Sequence, residues 1–158
     1  MSFGRRYSVS TAQNTTSTTN KTCGRLSSAT TVRPRIYEFS VGTSGGSASG
    51  DNVLDFTLQT GSAIGADSLV TPFVIDAGDP AALAAGGSNA STEHTYTANS
   101  VLWQMSINQR ATYRWVAPPD GELVLAAVGT GTARFLAGMQ VKSVGYTGIT
   151  SYDFKYAE

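Results

Sequence analysis

Charge is the first thing this sequence has little of. Only 14% of its 158 residues are Asp, Glu, Lys or Arg, against roughly 25% in an ordinary soluble protein. The 11 cationic and 11 anionic side chains cancel to a formal net charge of zero, which argues against a nucleic-acid partner, since such a partner needs a basic face. The single cysteine, Cys23, cannot close an intrachain disulfide, so no oxidising compartment is required. One histidine, His94, and one cysteine fall short of a structural zinc site. No apolar run approaches the roughly 18 residues that read as a membrane span, and the N-terminus has no apolar signal core. The expectation is a product made in the cytoplasm, with no membrane partner and no cofactor.

Glycine (17 residues), serine and threonine fill the space that charge leaves. From Arg33 onward the hydrophobic period is two rather than 3.6. Tyr37, Phe39 and Val41 alternate with Ile36, Glu38 and Ser40; Leu54, Phe56 and Leu58 alternate with Asp55, Thr57 and Gln59. The pattern recurs at Val101, Trp103, Met105 and Ile107, at Ala111, Tyr113 and Trp115, and at Leu123, Leu125 and Ala127. Phe135, Ala137, Met139 and Val141 continue it, and Tyr152, Phe154 and Tyr156 close the chain. Turn-forming stretches separate the runs: "GTSGGSASGDN" (42–52), "DAGDP" (76–80), "PPDG" (118–121) and "GTGT" (129–132). Short alternating strands broken by such turns predict an all-β chain, a single antiparallel β-sandwich or jelly roll. Only "DPAALAAGG" (79–87) reads as helix, with Pro80 at its first position and glycine to stop it.

Residues 10–24, "STAQNTTSTTNKTCG", are polar, rich in β-branched threonine and nearly free of large apolar groups. Such a stretch buries too little to fold alone, yet extended geometry suits it. Residues 1–33 are therefore expected to form an N-terminal strand and extended arm that docks on a neighbour, with 34–158 as the sandwich. A flexible tail is the alternative.

Chemistry is hard to find. His94 and Glu93 are adjacent, so on a strand they point to opposite faces and form no dyad; His94 reads as a surface residue. Gly45-Gly46-Ser47-Ala48-Ser49 lacks the last glycine of a nucleophile elbow, and "GTGTAR" (129–134) lacks the third glycine of a dinucleotide fingerprint. Asp51/Asp55 and Asp76/Asp79 lie in or beside turns, where Asp is common for backbone reasons, and their spacing supports neither a glycosidase pair nor a calcium loop. Trp103 and Trp115 read as core, with a sugar-binding platform as the competing possibility. The residues argue against an enzyme, and no catalytic, metal or cofactor residue is assigned.

"GRRYSVS" (4–10), "DAGDPAA" (76–82) and "INQRATYRWVAPPD" (107–120), in that order and spacing, resemble small phage-encoded virion proteins. These are jelly-roll head decoration, or cement, proteins that clamp major capsid subunits from outside. The resemblance spans residues 4 to about 145 and matches Arg5, Arg6, Tyr7, Asp76, Asp79, Asn108 and Arg110. Tyr113 stands where such proteins usually carry tryptophan, Trp115 where they often carry tyrosine, and "STEHTYTANS" (91–100) departs from their pattern. What the resemblance implies is a capsid-surface protein in the virion, with the major capsid protein and further copies of itself as partners, a trimer by analogy. Arg5, Arg6, Tyr7, Arg110 and Trp115 are the expected interface. The alternative is a fibre or tail-tip module that recognises host glycan.

Overall fold

Pleated geometry sends alternate side chains to opposite faces, and a chain patterned at period two closes by burying one face of each sheet against the other. The computed structural model describes residues 4–15, 18–43, 51–129 and 134–158, and among these it contains twelve strands and no helix. They are β1 (Arg6–Thr15), β2 (Lys21–Ser27), β3 (Arg35–Thr43), β4 (Val53–Ala63), β5 (Ala66–Val70) and β6 (Phe73–Val74), followed by β7 (Ala85–Thr92), β8 (Thr95–Asn108), β9 (Tyr113–Val116), β10 (Leu123–Val124), β11 (Leu136–Ser143) and β12 (Gly148–Ala157). The first sheet runs β6-β1-β12-β3, with β9 and β10 sharing the far edge of β3. The second runs β5-β7-β2-β11-β4-β8. Within them, β1-β12-β3-β9 faces β2-β11-β4-β8, which is the eight-strand double Greek key of a jelly roll. The all-β antiparallel sandwich read from the sequence is the fold.

The core lies between the sheets. Tyr7, Val9, Phe39, Phe154 and Tyr156 come from the first sheet, and Leu26, Leu54, Phe56, Leu58, Met139 and Val141 from the second; none is more than 1% exposed. Each such side chain contributes on the order of 1.5–3 kcal/mol of transfer free energy. Tyr7 stacks on Tyr156 with ring centroids 5.5 Å apart.

Four expectations are corrected. The stretch read as an outward-reaching arm is woven into the sandwich. β1 pairs with β12 from Arg6↔Ala157 to Thr15↔Gly148, and β2 lies between β11 and β7. Its small residues are compatible with burial because larger neighbours supply the bulk: the Tyr152 ring, from the opposite sheet, occupies the space where Gly24 would carry a Cβ. The expected helix at 79–87 is absent. Residues 76–84 turn, with Asp79 N–H donating to Asp76 O at 3.0 Å, and Ala85, Gly86 and Gly87 enter the β2–β7–β5 ladder. Tertiary pairing outweighs a short alanine propensity. Tyr37 does not join Phe39 and Val41 in the core: a register shift between Lys155 and Tyr156 bulges β3, so Ile36 is buried instead. Similarly, a shift between Leu58 and Gln59 leaves Val101 exposed and Leu102 half-buried on β8.

The turns behave as read. Asp120 has φ 59° and Gly121 N–H donates to Pro118 O at 2.9 Å, a turn with its third residue left-handed. The glycine-serine segment at 44–50 and residues 130–133 lie outside the described residues, so the imperfect elbow at 45–49 and most of "GTGTAR" have no structural account.

Gly24→Ala is expected to lower stability by about 1–3 kcal/mol, because the added methyl meets the Tyr152 ring. Gly78→Ala, at an exposed turn where the nearest atom is 3.6 Å away, should change it by less than about 0.5 kcal/mol. Chemical-denaturation midpoints of the two variants check both values.

Candidate functional site

The densest polar chemistry sits on the outer side of the second sheet, beneath a ribbon. Ala63↔Thr95 and Ala66↔Thr92 join the end of β4 and start of β5 to the end of β7 and start of β8. Beneath the ribbon, Arg25 on β2 is 3% exposed, its charge answered by Asp67 of β5. Arg25 Nε donates to Asp67 Oδ2 at 2.6 Å and Nη2 to Oδ1 at 3.1 Å, a bidentate pair. Nη1 donates to Ser27 Oγ at 2.6 Å. Gly87, paired with Arg25 on one side and Leu69 on the other, leaves room for this fork: a Cβ there would lie 2.0 Å from Asp67 Oδ2.

His94 completes the cluster, and it is not the surface histidine that the sequence suggested. It is 5% exposed. Its Nδ1 accepts the Gly65 N–H at 2.9 Å, so the ring's own proton sits on Nε2. Nε2 faces Asp67 Oδ2 at 3.5 Å and makes no hydrogen bond. Burial lowers the His94 pKa below its usual value and the Arg25 charge lowers it further, against the opposing pull of Asp67 and Glu93. The imidazole is thus held neutral. Glu93, as expected, does not pair with it. Its carboxylate takes the Thr22 N–H at 3.0 and 3.1 Å and the Thr22 hydroxyl at 2.6 Å. With that one proton spent on Glu93, the Tyr96 hydroxyl, 2.5 Å from Thr22 Oγ1, is the donor to Thr22.

This network ties β2 to the ribbon. Arg25, Asp67 and His94 are buried, and each faces another member of the group. A shallow cavity of about 360 Å³ lies elsewhere, lined by Asp51, Asn52, Asp55, Lys142 and Ser143 among others. Its acids are answered too: Asp51 by Arg110 at 3.8 Å, Asp55 by Lys142 at 3.6 Å and by the Ser106 hydroxyl. Asp76 caps its own turn by accepting the Gly78 N–H at 3.1 Å. Among the described residues no group of three His, Cys, Asp or Glu could hold a metal ion.

The expected interface residues do not form one patch. Arg5 and Arg6 are exposed at one end of the first sheet. Tyr7, beside them, is withdrawn from the set: it is 0% exposed, and its hydroxyl donates to Pro80 O at 3.1 Å. Arg110 is exposed at the opposite end, in the β8–β9 turn, where its N–H donates to Asn108 Oδ1. Trp115 stands on the β9 edge, half-buried, and stacks on Phe39 at 5.2 Å. Trp103 stacks on Tyr113 at 5.1 Å and meets Phe39 edge-on at 5.0 Å. The two tryptophans thus seal the margin where β8 of one sheet meets β9 of the other, as core residues do. Asp67 was missed because it sits in an exposed-looking run, "GADSLV". The signal lay in its partner: Arg25, set among Cys23, Gly24 and Leu26, has no water of its own to face.

Because His94 is held neutral in the fold, the unfolded chain takes up a proton first as pH falls. Stability should therefore be constant above about pH 6.5 and fall below it, by at most about 1.4 kcal/mol per pH unit. His94→Gln removes the titration, and urea midpoints between pH 7.5 and 5.5 should lose that part of the slope. Equal slopes in both proteins would show that the imidazole takes its proton without opening the ribbon.

No protein-family model matches the chain, and no curated protein matches it.

Proposed function

We propose that the protein is a structural component of a phage virion, a decoration or cement protein. It binds the outside of the head and stabilises contacts between major capsid subunits, with no covalent chemistry. The observation that carries this reading is the insertion between β4 and β8. It adds strands β5–β7 along one margin of the jelly roll yet leaves Leu69 and Phe73 each 74% exposed, with Leu83 at 59%. Open apolar groups gathered on one inserted segment favour protein contact along that margin. The sequence resemblance supports the same reading, and so does the low charge, since interface cores are depleted in charged residues. Repetition over a shell turns modest contacts into avidity.

Self-association has a natural place on β8. Its 14 residues include no charge, no proline and no glycine, and it stands at the edge of the second sheet with β4 on one side only. Chains that stay monomeric block such edges with lysine, proline or bulges; the irregularities of β8 fall toward its start, which leaves Trp103–Asn108 in regular pairing with β4. A glycan platform on Trp103 and Trp115 is less well supported, because both rings are committed to stacks inside the molecule.

The test is an electron-microscopy map of the intact particle, with re-addition of purified protein to stripped heads. Density on the capsid lattice and saturable binding to heads are expected. Density confined to a fibre or tail tip, or heads that stay bare, rejects the proposal. Deleting residues 1–24 would not serve as a docking test, since it removes all of β1 and half of β2 and should abolish folding.

A further inference from the structure

On the first sheet, Tyr7, Phe39, Trp115, Phe154 and Tyr156 point inward, so their neighbours along each strand line the outer face in rows. One row runs Ile75, Arg6, Ala157, Arg35, Val124 across the whole sheet. Five strands at the usual spacing make it about 19 Å wide. The next row runs Phe73, Ser8, Lys155, Glu38, Val116.

The charges on this face are unequally settled. Glu38 accepts Arg114 Nε and Nη2 at 2.9 and 2.8 Å and Lys155 Nζ at 2.6 Å. Lys155 also lies 3.6 Å from Asp153. The Arg114 hydrogen bonds, with Lys155 beside them, hold the Glu38 carboxyl down at about 2, so it stays ionised and occupied. Arg6 and Arg35 are left over. Both are exposed, and no carboxylate among the described residues lies within ion-pairing distance of either. Ala157 stands between them in the row and puts no long side chain in the gap. Apolar groups flank the charges on both margins: Phe73 at 74% exposed and Ile75 at 41% on one, Val116 at 52% and Val124 at 41% on the other.

We infer that this outer face is the docking surface for a protein partner that presents carboxylates between apolar side chains, with Arg6 and Arg35 as the two anchors. The identification of that partner as the capsid shell rests on the virion reading; the chemistry of the face does not. Two unpaired guanidiniums flanking a small residue suit bidentate capture of carboxylates, and the apolar margins exclude water around them. A second copy of the same face is disfavoured, because each arginine would meet a surface carrying the same surplus of positive charge. Nucleic acid is disfavoured by Glu38 and Asp153, which would stand against closely spaced phosphates.

Arg6→Glu/Arg35→Glu tests the inference, with Arg6→Gln/Arg35→Gln as the milder pair and Arg134→Glu, on the second sheet's side, as the control; circular dichroism verifies folding. The probes are a polyglutamate matrix and a DNA matrix at low ionic strength, and stripped heads. The wild type should be held by polyglutamate in a salt-dependent way and bind heads. The double reversal should weaken each by about tenfold or more, and the control should not. Undiminished binding by both double variants, no wild-type binding to polyglutamate or heads, or tighter holding by DNA than by polyglutamate, overturns the inference. Heads bound equally well by wild type and double reversal would leave the virion reading standing without this face. Polyglutamate binding that needs the two arginines, with heads ignored, would leave the face standing and reject the virion reading.

Discussion

The ladder between β1 and β12 is the constraint on which the rest depends. Ten consecutive pairs tie residues 6–15 to residues 148–157, so the first sheet forms only when the two ends of the described chain meet. Among the described residues no strand pairs with its neighbour in sequence: every ladder joins distant segments. Loop-closure entropy must be met before any pairing is rewarded, and such a topology is slow to form and cooperative once formed. The Tyr7–Tyr156 stack beneath the ladder and the Arg6–Ala157–Arg35 row above it are two faces of the same register. A slip of one residue would bury the arginines and expose the tyrosines.

The network under the ribbon is a different kind of constraint. A buried ion pair is weak evidence for stability, since desolvation offsets much of the attraction. What it adds by this geometry is a requirement on register. Arg25 is unpaired unless β5 brings Asp67 over β2, and Asp67 is in place only if the β4–β5 and β7–β8 crossings hold their register. His94 reads the same register through Gly65. Misplacing the ribbon would leave a buried guanidinium, a buried carboxylate and an unpaired backbone N–H together, which is costlier than any apolar mismatch.

Much of the fold was legible because period-two patterning is local. Leu54, Phe56 and Leu58, and Tyr152, Phe154 and Tyr156, turn inward as the alternation says. What failed depended on partners far away in sequence. The bulge that expels Tyr37 is set by β12, more than a hundred residues on. The strand at 85–92 is set by β2 and β5, against a helical composition. Residues 10–24 look too polar to be central because the aromatics that fill their spaces, Tyr152 and Tyr96, belong to other strands. His94 looked like a surface residue because nothing within its own segment buries it. Of the expected interface, Arg5 and Arg6 remain exposed and Tyr7 does not, while Arg35 became visible only through the register that sets it two strands from Arg6.

Scarcity of charge gives the remaining charges their meaning. On a surface crowded with lysine and glutamate, two unpaired arginines would be screened and interchangeable. Here the outer face of the first sheet carries four cationic and two anionic side chains in a chain that is neutral overall, and hydrogen bonding ties up Arg114, Lys155 and Glu38. Approach to an acidic partner would be steered by the surplus, an effect on association rate that salt suppresses. Persistence would come from the margins, where Phe73 and Val116 lose water on contact. The two contributions would be separable in space, and that separation would distinguish an adhesive face from a basic patch: removing the arginines should slow and misalign docking, whereas truncating Phe73 should shorten its lifetime.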